Sequence, residues 1–462
     1  MQAILPYLAI VVVFLTGYGV YKKYQVNIVL LFAGLLLNLL AVLAGVTDIL
    51  PKGAHSTGFI GFDIIELLRA VSRSQIFTTG FIILVAGGFA AHMEQIGASD
   101  KLVQLCLKPL RKLSMPYVVL GAVFVFGHFL GLVVTSAAGL AMLLVVSVYP
   151  VLIGLGVSGV AAAAVICSVL IFSYAPSSAI AVLSATTAGV DPMEYLLKYQ
   201  LIANIPGMLA ALVAHVIVQK SLDKRDRANG ILVEPDLSKV AEKEAKAKNT
   251  PTYYALLPLV PLVLLFTFNK LVYKTIVLDV ATAMFMGWIV AIIVDWIHRR
   301  DTTSVFKDGA AMFKGMGHML TSVVGLIFVA ALFAAGLQNA GLVDLMINAA
   351  KSAGLGLAGT GLIMSFVIGL VTVLTGSGVA SFTSLVPLAP AIAEGFNGNP
   401  VDLALMMQIA SECLRPLSPV AGVVIIVAGF AGVTPMAVVR RTAIPCLLAM
   451  VVSLAIACVR MI

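Results

Sequence analysis

Charged residues are scarce in this chain. Asp, Glu, Lys and Arg make up 11% of its 462 residues, where an average chain carries roughly 25%. Hydrophobic residues reach 61% and the mean hydropathy is +1.08, which excludes a soluble globular protein. Cysteine is sparse as well. Cys106, Cys167, Cys413, Cys446 and Cys458 lie scattered without CxxC spacing, so neither a disulfide framework nor a metal site is read from them. The opening Met1-Gln2-Ala3-Ile4-Leu5-Pro6 lacks the basic start and cleavage site of a signal peptide and reads as part of a retained first span. A formal net charge of +8 does not point to nucleic acid, because most Lys and Arg gather in a few loops. What the chain has in abundance is apolar runs of about twenty residues from end to end, the pattern of a polytopic helical membrane protein.

Taken in order, spans are expected at about Ala3–Val20, Val26–Thr47, Gln75–Met93, Ser158–Ala188 and Leu197–Val218. A basic turn, Tyr21-Lys22-Lys23-Tyr24-Gln25, joins the first two. Phe59 to Ser74 alternates Ile64, Ile65, Leu67 and Leu68 with Asp63, Glu66, Arg69 and Arg73, as an interfacial amphipathic helix does. A second amphipathic stretch carries Lys101, Lys108, Arg111 and Lys112. The apolar stretch 116–150 is too long for one span and too short for two, so it reads as a re-entrant hairpin with its tip at Thr135-Ser136-Ala137-Ala138-Gly139. Residues 220–250 form a charged linker. Within it Lys220–Lys248 holds eight Lys or Arg against six Asp or Glu, which puts it in the cytoplasm by the positive-inside rule. Five more spans follow at about Tyr253–Phe268, Ile276–Ile297, Gly315–Leu337, Val401–Ala431 and Ala443–Val459, with a second hairpin over 355–393. Both termini then lie outside.

The second half (251–462) repeats the first (1–219). Phe89-Ala90-Ala91 matches Phe333-Ala334-Ala335, with Gly97/Gly341 and Asp100/Asp344 in register. Thr135 to Gly139, then Pro150, matches Thr375-Gly376-Ser377-Gly378-Val379, then Pro390. Gly189-Val190-Asp191-Pro192-Met193 matches Gly432-Val433-Thr434-Pro435-Met436. The offsets are 244, 240 and 243 residues. Five spans per half make the repeats opposite in orientation, the sequence mark of a secondary transporter.

One stretch organises the rest: Ser411-Glu412-Cys413-Leu414-Arg415-Pro416-Leu417-Ser418-Pro419, midway along an apolar run. Two prolines three residues apart remove backbone donors and open the helix. Arg415 falls in the opening, at a cost of about 2.5–3.5 kcal/mol for a cation at a helix centre. Open backbone at bilayer depth is tolerated only against protein or a polar cavity, so the break reads as a site for an anion. A self-neutralising Glu412–Arg415 pair is the plainer alternative, but it does not explain the prolines. The earlier span is broken similarly, at Ser173-Tyr174-Ala175-Pro176-Ser177-Ser178.

Two hairpin tips and two helix breaks would therefore converge at the midplane. Substrate-binding candidates are Thr135, Ser136, Ser177, Ser178, Thr375, Gly376, Ser377, Gly378, Arg415 and Ser418. Half-helix N-termini suit a carboxylate and freed carbonyls a small cation. Such small-residue clusters otherwise only ease helix packing. The Arg415 fork could hold one carboxylate at two points. Glu412, Ala175, Pro176 and Pro419 are the candidates for ion or proton coupling, with Glu412 placed by spacing as the partner of Arg415. Na⁺ at the tips and breaks, H⁺, or counter-substrate remain open as the coupling species, and no other cofactor or metal is expected. Gly154-Leu155-Gly156-Val157-Ser158-Gly159 fits a nucleotide-binding glycine pattern and contains the GxSG string of intramembrane proteases. A helix start capped by Ser158 explains it better. His128 faces an apolar hairpin arm and reads as a packed histidine.

With these residues in view, the chain resembles the DcuC family of anaerobic four-carbon dicarboxylate transporters, within the wider ion-transporter superfamily. The resemblance covers nearly the whole chain. It is most specific at Ser411 to Pro445, including Val438-Val439-Arg440-Arg441-Thr442, at Thr375-Gly376-Ser377-Gly378 and at Ala175-Pro176-Ser177-Ser178. It implies uptake, efflux or exchange of succinate, fumarate and malate across a bacterial inner membrane. The superfamily implies an elevator mechanism in a homodimer. Glu412 departs from the family pattern, which has an uncharged amide there. Ala179-Ile180 stands where the family has Gly-Asp. The fold expected is an all-α integral membrane protein of ten transmembrane helices and two re-entrant hairpins. Another small organic anion, a monocarboxylate or an amino acid, is the alternative substrate. No continuous polar stripe suggests a channel, and only the Ser158 string suggests a hydrolase.

Overall fold

The computed structural model describes residues 4–22, 24–51, 53–107, 115–230, 250–269, 272–273 and 275–461. Lys23, Lys108, Arg111, Lys112 and most of the central charged linker lie outside the described residues. Every regular element among the described residues is helical. Among the described residues, seven helices are long and apolar enough to cross a bilayer, or eight if the pair Phe81–Gln95 and Ala98–Cys106, bent by 76°, is one span. The remaining apolar helices, Leu5–Val20, Pro116–Leu130, Gly159–Ser168 and Thr252–Thr267, are shorter. The count falls below the ten read from hydropathy because interruption shortens helices that composition alone makes continuous. Leu357–Thr375, the first arm of the second hairpin, is itself long enough to cross.

Several local features occur in both halves. Helix Ile60–Gln75 passes through a wide turn, Ile76–Gly80, into Phe81–Gln95. Ala311–Met319 passes through the same kind of turn, Leu320–Val324, into Gly325–Asn339. Gly97 and Gly341 both follow at φ 73°. Ser136 and Ser377 each cap the helix after a hairpin tip, accepting from Gly139 N and Ala380 N. Asp191 and Thr434 cap the helices that close each half, and those helices carry Pro206 and Pro445.

The two halves interleave. Helix Leu201–Ala228 of the first packs along Pro435–Val459 of the second, and Val26–Leu43 packs along Gly325–Asn339. Ala311–Met319 lies so close to Phe81–Gln95 that a Cβ on Gly315 would stand 2.8 Å from the Gly87 carbonyl oxygen. Small residues permit this contact, which in lipid replaces the missing hydrophobic drive between helices. The buried apolar residues form two cores. One holds the first hairpin with the residues before the first break, and the other holds the second hairpin with Leu403, Ala404 and Met407.

One polar reading is corrected. Lys220 to Ala228 is not loop but the end of helix Leu201–Ala228, with Asp223 fully buried. Its partner is Arg441. It lies inside helix Pro435–Val459, 3% exposed, paired with Asp223 and Asp226 at 2.6 Å each. Asp223 also accepts from Ser158 Oγ at 2.5 Å, Ser158 N at 3.0 Å and Tyr117 OH at 3.0 Å. The network ties four helices together at one end of the bundle. Ser158 is a cap that accepts from Ala161 N, and its hydroxyl donates to a carboxylate rather than to a histidine.

Candidate functional site

Both broken spans are open where the prolines stand. Gly159–Ser168 ends ten residues before Ala179–Thr187 begins. Pro400–Leu414 gives way to a tight turn, Arg415–Leu417, and helix resumes at Gly422–Ala431. Helix geometry leaves the last carbonyls of each first segment without intrahelical donors.

The breaks cross and serve one another. Arg415 Nη2 donates to the Leu170 carbonyl at 2.7 Å, and the Cys413 thiol lies 3.6 Å from the Ile171 carbonyl. In return, Glu412 Oε2 accepts from the Ser173 backbone N–H at 3.2 Å. Glu412 is fully buried and makes no ion pair with Arg415; its other donor is Gln408 Nε2 at 3.4 Å. Gln408 Oε1 accepts from Tyr195 OH at 2.6 Å and Ser184 Oγ at 2.9 Å. Gln200 Nε2 donates to the Ser173 carbonyl at 2.8 Å. The spacing of Glu412 and Arg415 thus misled, because the guanidinium points across to the other break.

Around the crossing, polar atoms remain without protein partners. Glu412 Oε1, Arg415 Nε, Ser418 Oγ, Gln200 Oε1 and Tyr174 OH are all buried and unpartnered. Buried polar atoms are nearly always hydrogen-bonded, so a group of exceptions marks a place built to meet something else. A cation with an unused donor suits a carboxylate.

The second hairpin tip seats on the second break. A Cβ on Gly378 would stand 2.6 Å from the Ser411 carbonyl oxygen, and one on Gly376 2.8 Å from Ala421 N and Val420 O. Gly376 also sits at φ 76°, a conformation side chains resist. Thr375 Oγ1 bonds back to Val371 O at 2.8 Å and accepts from Ser377 N at 3.3 Å. The structure therefore gathers Gly376, Ser377 and Gly378 with Arg415 and the fully buried Ser418. Ala175, Pro176, Ser177 and Ser178 are buried in the first break, and Pro419 is partly exposed in the second. Thr135 and Ser136 are elsewhere in hydrogen-bonding terms, since Ser136 bonds only its own cap and neither reaches the Arg415 segment. Their hairpin abuts the first break through Gly127 and Gly131, where a Cβ would meet Val169 and Leu170.

Sequence reading missed Gln200, Gln408, Tyr195 and Tyr174. The signal was present for Gln408, which lies one turn from Glu412 on a largely apolar helix. His128 is buried as expected, its Nδ1 2.9 Å from the Phe124 carbonyl.

The fold resembles that of the Alcanivorax borkumensis YdaH transporter, with a TM-score of 0.61 and 17% identity over 94% of this chain and 97% of that one. In sequence, the chain is 32% identical over 447 residues to the Escherichia coli anaerobic C4-dicarboxylate transporter DcuC, covering 96% of this chain and 95% of that protein. It is 33% identical over 445 residues to a probable anaerobic C4-dicarboxylate transporter DcuC of Vibrio cholerae, with the same coverage. The model of the DcuC family, described as C4-dicarboxylate anaerobic carriers, matches residues 5–461, and the chain belongs to that family.

Proposed function

We propose that this protein is a secondary active transporter of C4-dicarboxylates such as succinate, fumarate and malate, working by uptake, efflux or exchange across a bacterial inner membrane. The observation that carries the reading is Arg415, a cation held where two broken helices cross, with Nε unpartnered and serine and glycine from a hairpin tip beside it. One carboxylate meets the guanidinium. The other is received by Ser418 and the hairpin tip around Ser377, with Ser177 and Ser178 on the facing break. The first tip, Thr135 and Ser136, closes on substrate in a different conformation.

The recurring turns, caps and prolines favour two inverted repeats; the reading further takes ten spans, counting each broken helix once, and an elevator motion in a homodimer. The central loop is cytoplasmic and both termini periplasmic in this reading. Counterflow in proteoliposomes tests it: internal unlabelled succinate should drive uptake of labelled succinate, fumarate and malate. Counterflow with monocarboxylates or amino acids alone would overturn the dicarboxylate assignment.

A further inference from the structure

Glu412 poses a problem of charge. It is fully buried, has no cation within ion-pair distance, and its Oε2 takes the Ser173 backbone N–H and one long amide bond. Its Oε1 has no partner. A buried carboxylate in such surroundings is costly unless something positive meets it closely. Arg415 makes no ion pair with it, its Nη2 being turned to the Leu170 carbonyl.

A second unpartnered oxygen lies in the same place. Gln200 and Glu412 grip Ser173 from its two sides, the amide Nε2 on the carbonyl and the carboxylate Oε2 on the N–H. Gln200 is fully buried, and its Oε1 has no donor. One turn along the same helix Asn204, also fully buried, has neither amide atom partnered. Two acceptor oxygens, one of them charged, thus flank a stretch of open backbone and are left without donors. No group of three or more His, Cys, Asp or Glu able to hold a metal ion occurs among the described residues. A single carboxylate with neutral amide and carbonyl oxygens suits a hard cation of low charge, as oxygen ligands suit alkali and alkaline-earth ions.

We propose that Glu412 Oε1 and Gln200 Oε1 hold a Na⁺ ion beside Ser173, bound together with the dianion at Arg415. The inference rests on the transport reading and adds its coupling. A dicarboxylate brings two negative charges to one guanidinium, three residues from an ionised Glu412. A cation at Glu412 removes that repulsion, so each ligand strengthens the other by the same factor.

Thermal unfolding of the purified protein in neutral detergent tests this, with NaCl exchanged for choline chloride at constant ionic strength. Na⁺ should raise the melting temperature saturably, and succinate should lower the Na⁺ concentration needed. Glu412→Gln and Gln200→Leu should each weaken apparent Na⁺ affinity at least tenfold. Arg415→Lys should keep the Na⁺ shift and lose the succinate shift. Gln200→Leu leaves the carboxylate in place and decides the matter should Glu412→Gln not fold. No Na⁺-specific shift in the wild type would overturn the proposal, as would a shift that survives both substitutions. Stabilisation by acid instead of Na⁺, abolished in Glu412→Gln, would also overturn it and make the carried species a proton. Any of these can fail while succinate counterflow stands, and counterflow can fail while Na⁺ still binds, so the two readings fall separately.

Discussion

The guanidinium of Arg415 reaches the Leu170 carbonyl at 2.7 Å instead of Glu412, so its role and that of Glu412 separate at the level of single side chains. Arg415→Lys keeps the charge but loses the planar fork. Transport efficiency should fall by about 2–3 kcal/mol, roughly 30- to 150-fold, while the protein still inserts. Because no ion pair joins the two residues, adding Glu412→Gln to Arg415→Ala should not restore transport. Near wild-type counterflow in that double variant would show the pair to be structural. Little more about this residue was hidden from the sequence, since an Arg directly before two closely spaced prolines in an apolar run announces itself. Its partner was hidden, because Leu170 lies 245 positions away in the chain and contributes only a carbonyl.

At the scale of helices and hairpins, two contacts carry separate expectations. Gly376 combines φ 76° with backbone 2.8 Å from where a Cβ would sit. Gly376→Ala should destabilise the tip by about 1–2 kcal/mol from the left-handed backbone alone, with the clash added. Counterflow should drop sharply with expression largely kept, and a variant that transports normally would show that the tip does not seat on the second break. The other contact is the tie between Leu201–Ala228 and Pro435–Val459. Asp223→Ala removes one side of a pair whose side chains are 1% and 4% exposed, and breaking such a pair costs about 3–5 kcal/mol. The melting temperature in detergent should fall markedly. An unchanged value would mean that Asp226 alone satisfies Arg441. Sequence reading took Asp223 for a loop charge, because helix ends at a membrane surface look like loops when judged by charge alone.

For the whole molecule, orientation is the sharpest question. Under the proposed arrangement of five spans per half, reporters fused in the central linker should read cytoplasmic and reporters at both termini periplasmic, by the positive-inside rule. A cytoplasmic N-terminus would sink the inverted-repeat arrangement. The interleaving of the halves, with Leu201–Ala228 on Pro435–Val459 and Val26–Leu43 on Gly325–Asn339, predicts further that neither half folds alone. Residues 1–219 expressed by themselves should be degraded or aggregate, and co-expression with 251–462 should recover assembled protein.

Local chemistry in the sequence was enough to give the bilayer as solvent, the helical class and the two breaks. Hydropathy, proline and glycine act locally, through transfer free energy and backbone geometry, and these need no knowledge of distant contacts. Whether a broken helix counts as one span or two short ones was not decided locally, and neither was the destination of each freed backbone group. Only the tertiary structure sent Arg415 to Leu170, Glu412 to Ser173 and Arg441 to Asp223. In a bilayer every freed backbone group must be satisfied away from lipid, and which partner it meets depends on how two halves of one chain cross.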